Sequence, residues 1–122
     1  LGRDLDGVRR CVLDAVCAAQ GKGCPPGAIA VCLGGTRAGG WAAAQEAFFR
    51  RIGEPNPDSR LAGFEAILLD QVNQLGIGPL GLGGAPTALA VFAVARHRTP
   101  ASYFVTVAQI CWAWRRGELR LA

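Results

Sequence analysis

Apolar positions recur with a helical period near the amino end. Leu5, Val8, Val12 and Val16 fall three or four apart, and Asp4 and Asp6 sit where acidic groups suit the positive end of a helix dipole. This predicts a first helix over 3–19, closed by Gly21-Lys22-Gly23. The following Cys24-Pro25-Pro26-Gly27 is a rigid loop, because proline lacks an amide donor and restricts the residue before it. Ala28 to Leu33 is short, apolar and partly β-branched, which predicts a buried strand running into a Gly34-Gly35-Thr36 turn. Trp41, Ala44, Phe48 and Ile52 share a helical face and predict a second helix over 41–52. Asn56-Pro57-Asp58-Ser59 marks a loop with a helix cap at Asp58 or Ser59. Leu61, Phe64, Leu68, Val72 and Leu75 then define a third helix from Asp58 to Leu75.

Residues 76–87, GIGPLGLGGAPT, place five Gly and two Pro in twelve positions, which neither a helix nor a strand survives. So many glycines in one loop mark backbone that takes positive φ or approaches something closely. Ala88–Ala95 and Tyr103–Ala113 are strand-like, separated by His97-Arg98-Thr99-Pro100, and Glu118–Leu121 adds a short edge strand. The expected fold class is α+β, a single domain over 1–122 with about three helices packed on a small mixed sheet. The third helix is expected to lay Leu61, Phe64, Leu68 and Val72 on that sheet.

A chain of 122 residues suits one domain, and 51% hydrophobic against 18% charged residues supplies a core and excludes the profile of disorder. No apolar run is long enough to span a bilayer, so no membrane partner is expected. The first twenty residues are too charged for a secretory segment. The chain reads as soluble and cytoplasmic. Its net charge of +4 comes from twelve Arg and one Lys, scattered without a basic stripe or interleaved aromatics, so nucleic acid is not an expected partner. Guanidinium groups grip carboxylates bidentately, and small anions fit this composition at least as well. The sequence holds no Met, so Leu1 is read as the start of an excised domain, a processed subunit or part of something longer.

The five Cys, at 11, 17, 24, 32 and 111, form no CxxC pair, which excludes a zinc ribbon or a thioredoxin-like site. Most are read as small buried hydrophobes. The single His97 has no Cys or carboxylate within helical or hairpin reach. The GLGG at 81–84 lacks the Lys-Ser/Thr that completes a phosphate loop.

The order of the motifs carries more than any one of them. Gly23-Cys24-Pro25-Pro26-Gly27 leads to Gly34-Gly35-Thr36-Arg37, then Asn56-Pro57-Asp58-Ser59-Arg60, then Gly76-Ile77-Gly78-Pro79 with Gly81-Leu82-Gly83-Gly84. Pro100-Ala101-Ser102-Tyr103 and Cys111-Trp112-Ala113-Trp114-Arg115-Arg116 close the series. From about Val8 onward this series resembles the alpha domain of class I fumarases and L-tartrate dehydratases, the iron–sulfur hydro-lyases.

The resemblance implies a 4Fe-4S cluster held by three Cys, whose open iron polarises a small hydroxy-diacid while a base takes a proton from the neighbouring carbon. It matches Cys24 and Cys111 to two cluster ligands and puts the third upstream of residue 1. Thr36, Arg37, Gly83, Gly84, Arg98 and Arg115 are the implied substrate contacts, and the CPP, GGT, GLGG and CWA segments are expected to meet in one cleft. A beta or swivel domain, or a second copy, is the implied partner. The chain departs from the family pattern with Leu80 for Gln, Ala85 for Lys, Thr99 for His and Trp114 for Asp, each removing a polar or titratable group. The expectation is a divergent hydro-lyase without ordinary fumarase turnover by this chain alone. The alternative is a cluster-free descendant that binds a small carboxylate-bearing or apolar ligand, catalyses another reaction or serves a partner.

Overall fold

Asp4 opens the first helix by accepting the Gly7 amide at 2.8 Å, so α1 runs Leu5–Ala19 and buries Gly7, Val8, Val12 and Val16. Leu5, expected on that stripe, stays exposed. The computed structural model describes residues 4–19, 27–76, 88–98, 102–111 and 119–121.

β1 spans Ala28–Gly35, two residues beyond the predicted strand, and is buried throughout its middle. It lies at the centre of a three-stranded sheet, with β2 (Ala90–Arg98) parallel on one side and β3 (Val105–Ile110) antiparallel on the other. A central strand covered on both faces reads as a continuous apolar run. Its odd residues Ile29, Val31 and Leu33 pack with α1 and with α3 (Ser59–Gln74) through Val8, Val12, Val16, Phe64, Leu68 and Val72. Its even residues Ala30 and Cys32 face Ala43, Ala44, Ala47 and Phe48 on the opposite side, in and just beyond α2 (Arg37–Ala47). The α+β expectation therefore holds, with two helices on one face and one on the other.

α3 matches its predicted span, with Asp58 accepting the Arg60 and Leu61 amides as its cap. The second helix does not match. It begins at Arg37 rather than Trp41, because Thr36 Oγ1 caps the Gly39 amide at 3.0 Å directly after a turn in which Gly34 and Gly35 take φ of 84° and 73°. It ends at Ala47, and Trp41 and Ile52 are 54% and 55% exposed while Ala44 and Phe48 are buried. The contact face is thus Gly40, Ala43, Ala44 and Ala47, small residues that let α2 lie close to the sheet.

Both later strands are shifted. β2 starts at Ala90 and extends through His97 and Arg98, which the sequence reading had put in a separator. β3 is shorter than expected. Residues 119–121 form no strand, so the described sheet has three strands rather than about four. No helix among the described residues is long and apolar enough to cross a membrane.

Candidate functional site at the two ends of the sheet

The register sorts the sequence-predicted site residues into two groups. At one end, Ala28 pairs with both Ala90 and Ile110, so the chain enters β1, enters β2 and leaves β3 along the same edge. The Leu89 amide donates to the Gly27 carbonyl at 2.8 Å, tying the first two of these points together. A Cβ on Gly27 would stand 2.9 Å from the Ile110 carbonyl oxygen, so glycine is required for this approach. Cys111, half-buried, is the next residue after Ile110. Cys24 lies three positions before Gly27 in the sequence, and it is outside the described residues, as are Gly83, Gly84, Arg115 and the departures Leu80, Ala85, Thr99 and Trp114.

At the other end stand Thr36, Arg37 and Arg98. Gly35 pairs with Arg98, and the Gly34 amide donates to the Phe104 carbonyl at 2.8 Å. Thr36 spends its hydroxyl on the α2 cap, and the Arg37 guanidinium lies 5.5 Å from the Phe104 ring centroid. Eight residues of β1 separate the two ends. At the usual strand rise that is roughly 23 Å. The glycine turn and Cys111 therefore do not meet in one cleft as expected: a strand is stiff, and β3 runs antiparallel to β1.

Titratable groups elsewhere have structural tasks. Glu65, 9% exposed, accepts from Arg50 at 2.6 and 3.2 Å, from Asn56 Nδ2 at 2.8 Å and from the Ala93 amide at 2.7 Å. Asn56 Nδ2 also donates to the Ala93 carbonyl at 2.8 Å. Asn73 similarly brackets Ala88, accepting its amide at 2.9 Å and donating to its carbonyl at 3.2 Å. Side chains of α3 and its preceding loop thus satisfy backbone groups in and just before β2, which among the described residues has a strand neighbour on one side only. The sequence reading missed Glu65, although its position gives a signal: it falls four after Leu61 and three before Leu68, a carboxylate next to the apolar stripe of α3.

Cys32 is buried in β1. Burial pushes its thiol above the ordinary 9.0, and Arg96 pulls weakly the other way. Cys11 and Cys17 lie half-buried on α1. Among the described residues no three His, Cys, Asp or Glu side chains gather as a metal site. Cys111 is the one sequence-matched thiol in the described part, so the described donor set does not by itself fit a cuboidal cluster.

The described strand ends at Gly27, Leu89 and Ile110 thus share one edge of an α+β sheet. Residues 2–120 match the fumarate hydratase (fumerase) family, and the chain belongs to it. It is 49% identical over 115 residues to a putative class I fumarate hydratase of Geobacillus stearothermophilus, covering 94% of this chain and 22% of that protein. It is 39% identical over 117 residues to a putative L(+)-tartrate dehydratase alpha subunit of Methanocaldococcus jannaschii, covering 96% and 41%. An L(+)-tartrate dehydratase alpha subunit of Escherichia coli is 32% identical over 116 residues, covering 95% and 38%. The chain thus spans less than half the length of these relatives.

Proposed function

We propose that this chain is part of a hydro-lyase that adds or removes water at a small hydroxy-acid or its unsaturated product, the chemistry named for its fumarate and tartrate relatives. The carrying observation is the shared edge at Gly27, Leu89 and Ile110, which puts Cys111 beside the point where the Cys24 loop joins β1. Three residues of chain reach at most about 10 Å, so Cys24 stays within reach of that edge. Cys24 and Cys111 are two thiolate ligands in this reading, with Gly83, Gly84 and Arg115 contributing to the same edge from the segments before β2 and after β3. A bound 4Fe-4S cluster with an open iron supplies a Lewis acid for the substrate hydroxyl and carboxylate.

Two matching thiols are one short of the three such a cluster needs, and the resemblance puts the third upstream of residue 1. The alpha-subunit names of the tartrate dehydratase relatives support a partner subunit or second domain that completes the site. The working compartment is the cytoplasm. Leu80, Ala85, Thr99 and Trp114, apolar or uncharged where the resemblance expects polar groups, favour a second reading in which a cluster-free descendant binds a larger or less charged ligand.

Anaerobic reconstitution with iron and sulfide separates the readings. The expected result is no complete 4Fe-4S cluster and no fumarate hydration by the chain alone, with any iron it does retain lost in Cys24→Ser or Cys111→Ser. Retained iron that is unchanged by both substitutions sinks the ligand assignment and leaves the cluster-free reading. Turnover by the chain alone that disappears in either variant overturns the expected incompleteness and restores a plain hydro-lyase.

A further inference from the structure

The α3 helix and the loop before it are tied to β2 and its entry at two points. Within the strand, Glu65 accepts the Ala93 amide and Asn56 donates to the Ala93 carbonyl. The second tie comes from Asn73, one residue before the end of α3, whose carboxamide accepts the Ala88 amide at 2.9 Å and donates to the Ala88 carbonyl at 3.2 Å. Ala88 is 4% exposed and belongs to the same core as Val72, so its backbone groups are shielded from water and need partners within the fold. A side-chain amide supplies a donor and an acceptor together, whereas leucine of similar size supplies neither and a carboxylate only accepts.

What Asn73 grips is the first link in a series of backbone contacts that ends beside Cys111. Leu89 follows Ala88 and donates its amide to the Gly27 carbonyl at 2.8 Å. Gly27 in turn lies so close to β3 that a Cβ there would stand 2.9 Å from the Ile110 carbonyl oxygen. Ala28 is the register partner of both Ala90 and Ile110, and Cys111 comes next. Every link after the first is made by backbone atoms, so position 73 is where a side-chain substitution loosens the series without altering the edge itself. A thiol that serves as a ligand works from backbone that neighbouring contacts hold in place.

We propose that Asn73 is a positioning residue for the cysteine edge, acting through Ala88, Leu89 and Gly27 to fix the joint beside Cys111. The use of that joint in hydration chemistry rests on the hydro-lyase reading; the clasp does not, since it needs neither iron nor substrate.

The test is alkylation by iodoacetamide under native conditions, with each modified cysteine located by mass spectrometry, in the wild type, Asn73→Leu and Asn73→Asp. Wild type in enough urea to match the stability of each variant is the control for destabilisation alone. In Asn73→Leu the expected result is alkylation of Cys111 faster by about threefold or more, with Cys17 and buried Cys32 at the rates of the urea control. Deuterium exchange at the Ala88 and Leu89 amides is expected to quicken by about tenfold or more. Asn73→Asp keeps an acceptor for the Ala88 amide and loses the donor, so its rates fall between those of wild type and Asn73→Leu. Equal acceleration of Cys111, Cys17 and Cys32, a Cys111 rate no faster than in the urea control, or unchanged exchange at Ala88 and Leu89 overturns the proposal. Should Asn73→Leu not fold, Asn73→Asp is read against the same outcomes. These rates are measured without iron, so the clasp and the ligand assignment fail separately.

Discussion

Glu65 shows how a single charge inside a small domain is made tolerable. Its two oxygens meet two guanidinium nitrogens, an amide side chain and a backbone N–H, so the carboxylate exchanges water for four donors rather than for nothing. Removing it strips partners from Arg50, Asn56 and Ala93 together. Glu65→Ala is therefore expected to lower unfolding stability by about 3 kcal/mol or more, and Glu65→Gln by less, as read by urea denaturation. Cys32 makes the converse case of a buried group kept neutral. Its folded pKa lies above the unfolded 9.0, so its contribution is fully present below pH 9.0 and is lost as pH rises through the folded value, where the unfolded chain ionises first. Urea midpoints should fall above that pH in the wild type and fall less in Cys32→Ala. Iodoacetamide should modify Cys32 more slowly than half-buried Cys11, Cys17 and Cys111.

Among the elements, α2 departs furthest from its predicted form, and glycine explains both its start and its seat. A Cβ on Gly40 would come 2.7 Å from Thr106 Oγ1 on β3 and 3.6 Å from the Gly34 carbonyl, so this helix approaches the sheet only because position 40 has no side chain. Gly63, on the exposed face of α3, has nothing within 4 Å of the same built atom. The two substitutions should then have opposite signs. Gly63→Ala is expected to stabilise by about 0.5–1 kcal/mol through helix propensity alone. Gly40→Ala gains the same propensity and still destabilises, by about 1–2 kcal/mol net, because α2 must lift or Thr106 must turn. Thr106→Ala in the Gly40→Ala background should recover part of the loss, a coupling that thermal melts of the four proteins measure directly.

Over the whole molecule, two cores back on the central strand. One is built from the β-branched and large side chains of α1, α3 and the odd residues of β1, the other from alanines and Phe48 against the even residues. Phe48 and Phe92 meet edge-to-face with ring centroids 6.3 Å apart, which fills the volume that the alanines leave. This layering sends the parallel β1 and β2 to one end with their carboxyl termini and leaves β3 to return. The topology thereby separates an arginine-bearing end from a cysteine-bearing end.

Periodicity and capping chemistry were enough to define α3, including Asp58 as its cap and Leu61, Phe64, Leu68 and Val72 as its buried or half-buried face, because every signal there is local. The same holds for the α+β class, for α1, and for β1 as a buried strand. The order of glycine, proline and cysteine motifs was also enough for the family, since those residues impose backbone conformations and sulfur chemistry wherever the chain folds. The start of α2 was hidden because Gly39 and Gly40 add nothing to an apolar period, yet both are helical, and Thr106 on a distant strand leaves no room for a side chain at position 40. The task of Glu65 was hidden because its donors come from positions 50, 56 and 93, which only folding assembles. The pairing of Ala28 with Ile110 and of Gly35 with Arg98 was hidden for the same reason: register is a property of strands far apart in sequence, and it alone decides which candidate residues can share a site.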